Sequence, residues 1–283
     1  MNQRSHARYG TPKNMSRILT LTTDFGLSDG YVAAMKGVVL NCVPDAQIVD
    51  ITHQVPSQDI AAGAFVMYSA CPFFPEGSVH VGVVDPGVGS DRQGIVVETK
   101  QFVYVGPDNG LFSPVYEREV VQRIVAIENA ALMRPQVSST FHGRDVFALV
   151  GAYLLKGVSC NEVGPEIEDP VTCDLWDVEE RADALVGRVV CVDHFGNAIS
   201  MIARSQIDAK YPDGDFEIII GKTRFDRICQ TYSEVKEGEA LTLYGSLDTL
   251  EIAVCEGSAS RTLGVKRGDE ICVCRGQGRR DRS

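Results

Sequence analysis

Residues 18–157 alternate apolar strand-like runs with amphipathic stretches, and after Gly164-Pro165 the helical stretches stop. That change of texture constrains the fold most. "ILTLTTDFG" reads as a buried strand ending in Asp24. Ser28 is positioned to cap a helix through "DGYVAAMKGVVLNCV", with Val32, Met35 and Val39 on one face and Pro44 beyond its end. "QIVDIT" is a second strand, and Ser57 opens a second helix with Ile60, Ala64, Met67 and Cys71 in register, stopped by Pro72. "SVHVGVVD" is a third strand ending in Asp85. "GIVVET" and "FVYVG" form a hairpin, and "RDVFALVGAYLLKG" is a helix terminated by Gly157. Strands alternating with helices argue for an α/β domain with a central, mostly parallel sheet covered on both faces.

Beyond Gly164-Pro165 comes an acidic stretch without sustained periodicity, residues 168–184, read as a linker. "LVGRVVCVD", "FEIIIG", "ALTLYG", "LEIAV" and "EICVCR" follow as short strands. Turn signals lie between them at Asp213-Gly214, Gly221-Lys222 and Gly268-Asp269, and no helix is evident. This predicts a small antiparallel β-barrel domain. The expected division is an α/β domain over 17–167 and a barrel over 185–275. Residues 1–16 are expected to be a leader outside the fold, with Arg4, Arg8, Lys13 and no acid, and Met15 is a candidate start. Residues 276–283 are expected to be a solvated basic tail.

Composition narrows the function. A net charge of −11 argues against a nucleic-acid partner, because phosphate neutralisation needs a basic surface. No apolar run is long enough to span a bilayer, and the start lacks a signal-peptide core. The nine cysteines are odd in number, scattered and mostly inside apolar runs, the pattern of reduced thiols in a cytoplasmic protein. Cys272 and Cys274 share one strand face, but neither a second pair nor a nearby His completes a zinc set.

Two strand ends carry aspartates, Asp24 and Asp85, and in open α/β sheets ligands bind beyond the carboxyl ends of the strands. The alternative is that each only caps the helix or turn after it. "VVDPGVGSDR" has the glycines of a phosphate cradle without the Lys-Ser/Thr that completes one, and it sets Arg92 across a turn from Asp85. "FHGRD" precedes the best helix, so His142 falls near the positive end of a helix dipole, which keeps the ring neutral. Gly143 would leave room for a ligand, and Arg144 and Asp145 read as first-turn structure. His53, His80 and His194 have strand-edge or loop contexts and are read as structural. Gly-x-Ser-x-Gly, His-Glu-x-x-His and G-x-G-x-x-G are all missing. A di-metal hydrolase on Asp24, Asp85 and His142 would need more ligands than these motifs offer, and Arg92 would repel the metal.

"TTDFGLSDGYVAAMKG", "VVDPGVGSDR", "PDNGLFSPV", "FHGRD", "VDHFGNAIS" and "LEIAVCEGSAS", in this order, resemble the S-adenosylmethionine hydrolases. These are also called hydroxide adenosyltransferases and are relatives of fluorinase and chlorinase. The resemblance covers residues 18–275. It implies an N-terminal α/β domain with a C-terminal β-barrel, and a homotrimer holding its small-molecule substrate between one subunit's N-domain and its neighbour's C-domain. It also implies metal-free, cofactor-free attack of water at C5′ of S-adenosylmethionine, giving adenosine and methionine. The family's catalytic set falls on Asp85, Arg92 and His142, with the proton acceptor among them left open. Asp24 matches the carboxylate that grips the ribose hydroxyls, and Asp29 and Asp193 match acids near the methionine ammonium. Asn197 matches the adenine reader and Ser246 a serine at the methionine carboxylate. Gln58 departs from the indole of the halogenases, and Gly245 and Cys255 stand where asparagine is usual.

Three rivals remain. A halogenase would carry Tyr and Thr at the positions of Asp85 and Val88, Ser at Gly143, and a loop longer by about twenty residues after the turn, beyond the usual range. A non-catalytic S-adenosylmethionine or nucleoside sensor is a second, and a metal-dependent phosphohydrolase a third.

Overall fold

The computed structural model describes residues 17–173 and 177–276; the expected leader and nearly all of the expected tail lie outside the described residues. The chain divides into two compact units, the first ending at Val171 and the second beginning at Thr172.

The first unit holds a six-stranded mixed sheet in the order β2-β1-β3-β5-β4-β6. Its strands are β1 (Ile18–Thr23), β2 (Gln47–Thr52), β3 (Val79–Val83), β4 (Gly94–Thr99), β5 (Val103–Pro107) and β6 (Val121–Ala126). β2, β1, β3 and β5 are mutually parallel, and β4 runs antiparallel to both of its neighbours. The expected β4–β5 hairpin is present, and it places β5 beside β3. Side chains alternate across the sheet as the strand period requires. Leu19, Leu21, Val81 and Val105 join a core with Met35 and Val39 of α1 (Tyr31–Cys42) and Val150 and Leu154 of α4 (Ala148–Leu155). On the opposite face α2 (Ile60–Ala70) lies close to β3: a Cβ on Gly82 would come within 2.5 Å of the Met67 sulfur. A shorter helix, α3 (Ser113–Arg118), precedes β6. Where Ser28 and Ser57 were expected as caps, α1 begins after Gly30 without a side-chain cap and α2 after Asp59, whose carboxylate accepts from Ala62 N–H. The "FHGRD" helix opens with a π-turn over Gly143–Phe147 before α4, and Gly157 (φ +99°) follows its end.

β1 sends its connection to one side, to β2. β3, on β1's other flank, sends its connection away from β1. The point between β1 and β3 is therefore a topological switch point, the usual ligand crevice of open α/β sheets. Thr23 and Val83 are paired in register at these two strand ends, so Asp24 and Val84-Asp85 leave the sheet side by side.

The second unit is an eight-stranded antiparallel sheet in the order β11-β10-β14-β8-β9-β13-β12, with β7 (Glu179–Glu180) also on β8. The members are β8 (Ala184–Val192), β9 (Ala198–Ala203), β10 (Phe216–Ile220), β11 (Thr223–Phe225), β12 (Ala240–Tyr244), β13 (Thr249–Val254) and β14 (Glu270–Arg275). The long β8 turns the corner: its first half pairs with β14, and after an irregularity at Val189/Cys191 its second half pairs with β9. Such a shared strand curls a sheet into a nearly closed barrel. Leu185, Ile202, Ile218, Ile252 and Val273 fill it. Two short helices are present where none was expected, α5 (Arg204–Lys210) and α6 (Ala259–Leu263). Among the described residues no disulfide joins the nine cysteines, and no helix is long and apolar enough to cross a membrane.

Candidate active site

Asp85 and Arg92 belong to the connection between β3 and β4, which occupies residues 84–93 only. Its first turn has Val88 N–H on Asp85 O, and its second has Ser90 N–H on Gly87 O, with the Ser90 hydroxyl on the same carbonyl. These two tight turns bring Arg92 back over Asp85. Arg92 Nε donates to Asp85 Oδ1 at 2.9 Å, and Arg92 Nη2 meets Asp85 Oδ2, a bidentate fork. Both side chains are largely buried, 4% exposed for Asp85 and 12% for Arg92. The glycines serve the turn and its packing. Gly89 (φ +77°) has no space for a side chain, because a Cβ would stand 2.3 Å from Ser139 O. That contact presses the turn against the loop leading into "FHGRD". The "PDNG" stretch holds the connection from its other side: Asn109 Nδ2 donates to Val84 O at 2.9 Å and Asp108 N–H to Gln93 O at 2.9 Å.

His142 stands at the start of the π-turn, and its Nδ1 lies 3.1 Å from Arg92 Nη2. The structure thus brings Asp85, Arg92 and His142 together. A guanidinium has only donors, so Nδ1 is the acceptor and the neutral ring carries its proton on Nε2. The His142 pKa is lowered, first by burial and then by the charge of Arg92, against the opposing charges of Asp85 and Asp145. The expected neutral ring therefore has a different cause from the helix dipole. Gly143 also differs from expectation. The space above it is filled by the Phe25 ring, 3.1 Å from where a Cβ would be. Arg144 and Asp145 do more than begin a helix. The fully buried Asp145 carboxylate accepts from Arg144 Nε at 2.6 Å and Ser138 N–H at 2.9 Å and forms an ion pair with Arg134, 3.2 Å away. Burial alone would raise its pKa; the bonds from Arg144 and Ser138 and the nearby positive charges outweigh it and hold the pKa low.

Asp24, at the end of β1, accepts through Oδ2 from Gln58 N–H at 2.7 Å. Asp29 lies exposed in the loop before α1. In the second unit Asp193 and Asn197 are joined across the β8–β9 turn: Oδ1 accepts from Asn197 N–H at 2.8 Å and Oδ2 from Nδ2 at 3.2 Å. The Asn197 backbone oxygen accepts from Asp193 N–H at 3.0 Å, and its side-chain Oδ1 is left for a further contact. Asn197, Phe195, His194, Tyr232 and Arg261 line a cavity of about 550 Å³. Ser246 lies outside that lining, exposed in the β12–β13 turn.

Sequence reasoning missed Tyr232 and its partner Glu251. Tyr232 OH donates at 2.8 Å to Glu251, which is 6% exposed and whose pKa is raised by burial and by Asp193, against the lowering effect of the Tyr232 bond. Gly245 is explained by this carboxylate: a Cβ there would lie 2.4 Å from Glu251 Oε2. Cys255 packs with Leu241, Leu243 and Ala253 in a small core. No signal short of the barrel's strand pairing could have joined Tyr232 to Glu251. Among the described residues no three His, Cys, Asp or Glu are grouped as a metal-ligand set.

The pattern of the SAM hydroxide adenosyltransferase N-terminal domain matches residues 19–164, and that of its C-terminal domain matches residues 187–272. The chain belongs to this family. An (R)-S-adenosyl-L-methionine hydrolase of Methanocaldococcus jannaschii is 41% identical, over 90% of this chain and 94% of that one. The crystal structure of an uncharacterized conserved protein from Thermotoga maritima is 37% identical and superposes with a TM-score of 0.84, covering 91% of this chain and all of that one. A fluorinase of Nocardia brasiliensis is 28% identical over 68% of this chain and 73% of its own. Within the SAM hydroxide adenosyltransferase family, then, this member has a short β3–β4 connection whose Asp and Arg close on each other.

Proposed function

We propose that the protein hydrolyses S-adenosyl-L-methionine to adenosine and L-methionine by attack of water at the ribose C5′. The observation that carries this reading is the contact of Asp85, Arg92 and His142 at the switch point of the first unit. The substrate's sulfonium leaves as a neutral thioether, so the reaction requires no acid for its leaving group. What it requires is a water held in line with the C5′–S bond and a place for that water's proton. The water oxygen bonds to C5′ as the C5′–S pair passes to sulfur. Because His142 Nδ1 is committed to Arg92, the Nε2–H of the neutral ring orients the water oxygen as a donor. Asp85 has the remaining acceptor capacity and takes the proton, which then passes to solvent. Arg92 fixes both partners and stabilises the negative charge developing on the attacking oxygen.

In this reading Asp24 grips the two ribose hydroxyls through its Oδ1, and the Asn197 cavity takes the adenine, with Asn197 Oδ1 accepting from its amino group. Asp29 and Asp193 face the methionine ammonium and Ser246 the carboxylate. The active protein is a cytoplasmic homotrimer with sites shared between neighbouring subunits, and it needs neither metal nor cofactor. Halide is disfavoured because an aspartate at position 85 repels an anion where it would have to bind.

The test is chromatography of both sulfur epimers of S-adenosylmethionine incubated with EDTA-treated protein, with and without chloride, alongside light scattering for the trimer. Adenosine and methionine in both conditions are expected. A chlorinated nucleoside, or retained ligand without product, would overturn the reading.

A further inference from the structure

We propose that His53 is a positioning residue for the Asp24 carboxylate, and that Thr23 is the link through which it acts. This rests on the reading of Asp24 as the ribose-binding group. Asp24 lies in a segment clamped at several points by residues 53–58. His53 O accepts from Gly26 N–H at 2.7 Å, Thr23 O accepts from Val55 N–H at 3.4 Å, and Asp24 Oδ2 accepts from Gln58 N–H at 2.7 Å. Gln58 does so from φ +64°, a left-handed conformation that is strained for a residue with a side chain and persists only where its surroundings hold it.

Inside this clamp runs a chain of polar contacts. Phe25 N–H donates to Thr23 Oγ1 at 3.2 Å, and Thr23 Oγ1 lies 2.8 Å from His53 Nδ1. His53 Nε2 lies 3.1 Å from Asp50 Oδ1, at ion-pair distance, and Asp50 is paired in turn with Lys36 at 2.6 Å. Thr23 is fully buried and His53 is 3% exposed, so water cannot replace either group. With Asp50 drawing the ring proton to Nε2, Nδ1 accepts the Thr23 hydroxyl proton. That hydroxyl is then free to accept from Phe25 N–H, on the far side of Asp24. Thr23 and Asp24 are adjacent, so the direction of this one side chain sets where the ribose-binding carboxylate points.

The proposal predicts a loss confined to ligands that carry ribose hydroxyls. His53→Leu should raise KM for S-adenosylmethionine roughly tenfold or more, the scale of one charge-assisted hydrogen bond, with kcat changed far less. His53→Asn, whose side-chain oxygen falls near the position of Nδ1, should recover most of the affinity. Thr23→Val, nearly identical in shape, should reproduce the loss and guards against a His53→Leu protein that fails to fold. Calorimetric binding of adenosine and of 2′,3′-dideoxyadenosine separates positioning from mere stability. Both variants should bind adenosine more weakly and the dideoxy nucleoside as the parent does. Equal losses for the two ligands, or none in either variant, would overturn the role of His53. Asp24→Asn is the control on the underlying reading: if it binds adenosine normally, the ribose assignment itself fails. If it binds weakly while His53→Leu and Thr23→Val do not, only the positioning role fails.

Discussion

The two units meet the same physical problem, holding polar groups in place, in opposite ways. At the switch point Asp85, Arg92 and His142 are tied to one another and largely withdrawn from water, and the turn that carries Asp85 and Arg92 is held from two sides by Asn109 and by Ser139. In the barrel Phe195 is 72% exposed and Tyr232 44% exposed beside an open cavity, with Asn197 and Glu251 as buried anchors behind them. A chemical step gains from groups already oriented in a site that excludes water, because no reorganisation remains at the moment of reaction. Recognition of a flat ring needs area and one or two fixed polar contacts. The contrast teaches that the Asp85–Arg92–His142 cluster should govern turnover and the barrel cavity affinity.

The largest effect that could break this contrast is at Asp85. Asp85→Ala should lower kcat by at least about a hundredfold, the scale of losing acid–base help, with KM little changed. Steady-state kinetics decide it, and unchanged turnover would remove the catalytic assignment. Next comes the turn. Gly89→Ala puts a Cβ against Ser139 O at a left-handed position, and should cost about 1–3 kcal/mol in denaturant unfolding as well as reduce kcat by loosening Arg92 from His142. In the barrel, Tyr232→Leu should weaken adenosine binding by up to about tenfold, the worth of an aromatic contact, and leave single-turnover chemistry intact. A fall in the chemical rate there would merge the two roles.

The smallest expected effect is on pH. Burial and Arg92 hold His142 below the ordinary imidazole value of about 6.5. Turnover should therefore persist through that value and decline only at lower pH, when a protonated Nδ1 can no longer accept from Arg92. The stability term has the same sign: below the unfolded value the unfolded chain binds a proton that the folded site refuses, so acidification destabilises. A rate profile and unfolding curves across mildly acidic pH check both.

Much of the first unit was legible because its signals are local. An apolar run ending in Asp24 or Asp85 marks a strand end, and Arg92 is close enough in sequence for one double turn to return it to Asp85. His142 was marked by its motif. Other features depend on pairings that one-dimensional patterns do not carry. β5 lies between β3 and β4, which no spacing announces. The Thr23–His53 and Tyr232–Glu251 bonds join residues on different elements, so His53 read as merely structural and Tyr232 as nothing. α5 and α6 are too short to establish a helical period. Ser28 and Ser57 had the right chemistry for caps, but the helices begin a few residues later. Gly143 had the right residue type for an open approach, yet tertiary packing gave its space to Phe25.

The most direct test of the central claim traces oxygen. Three carbons on the sulfonium could accept water, and each gives a different product. Turnover in water enriched in oxygen-18, read by mass spectrometry, should place one heavy oxygen in the 5′-hydroxyl of adenosine and none in methionine, at a rate lowered at least about a hundredfold in Asp85→Ala. Label in homoserine or methanol, or adenosine formed without label, would contradict the attack at C5′ by a water held at Asp85, Arg92 and His142.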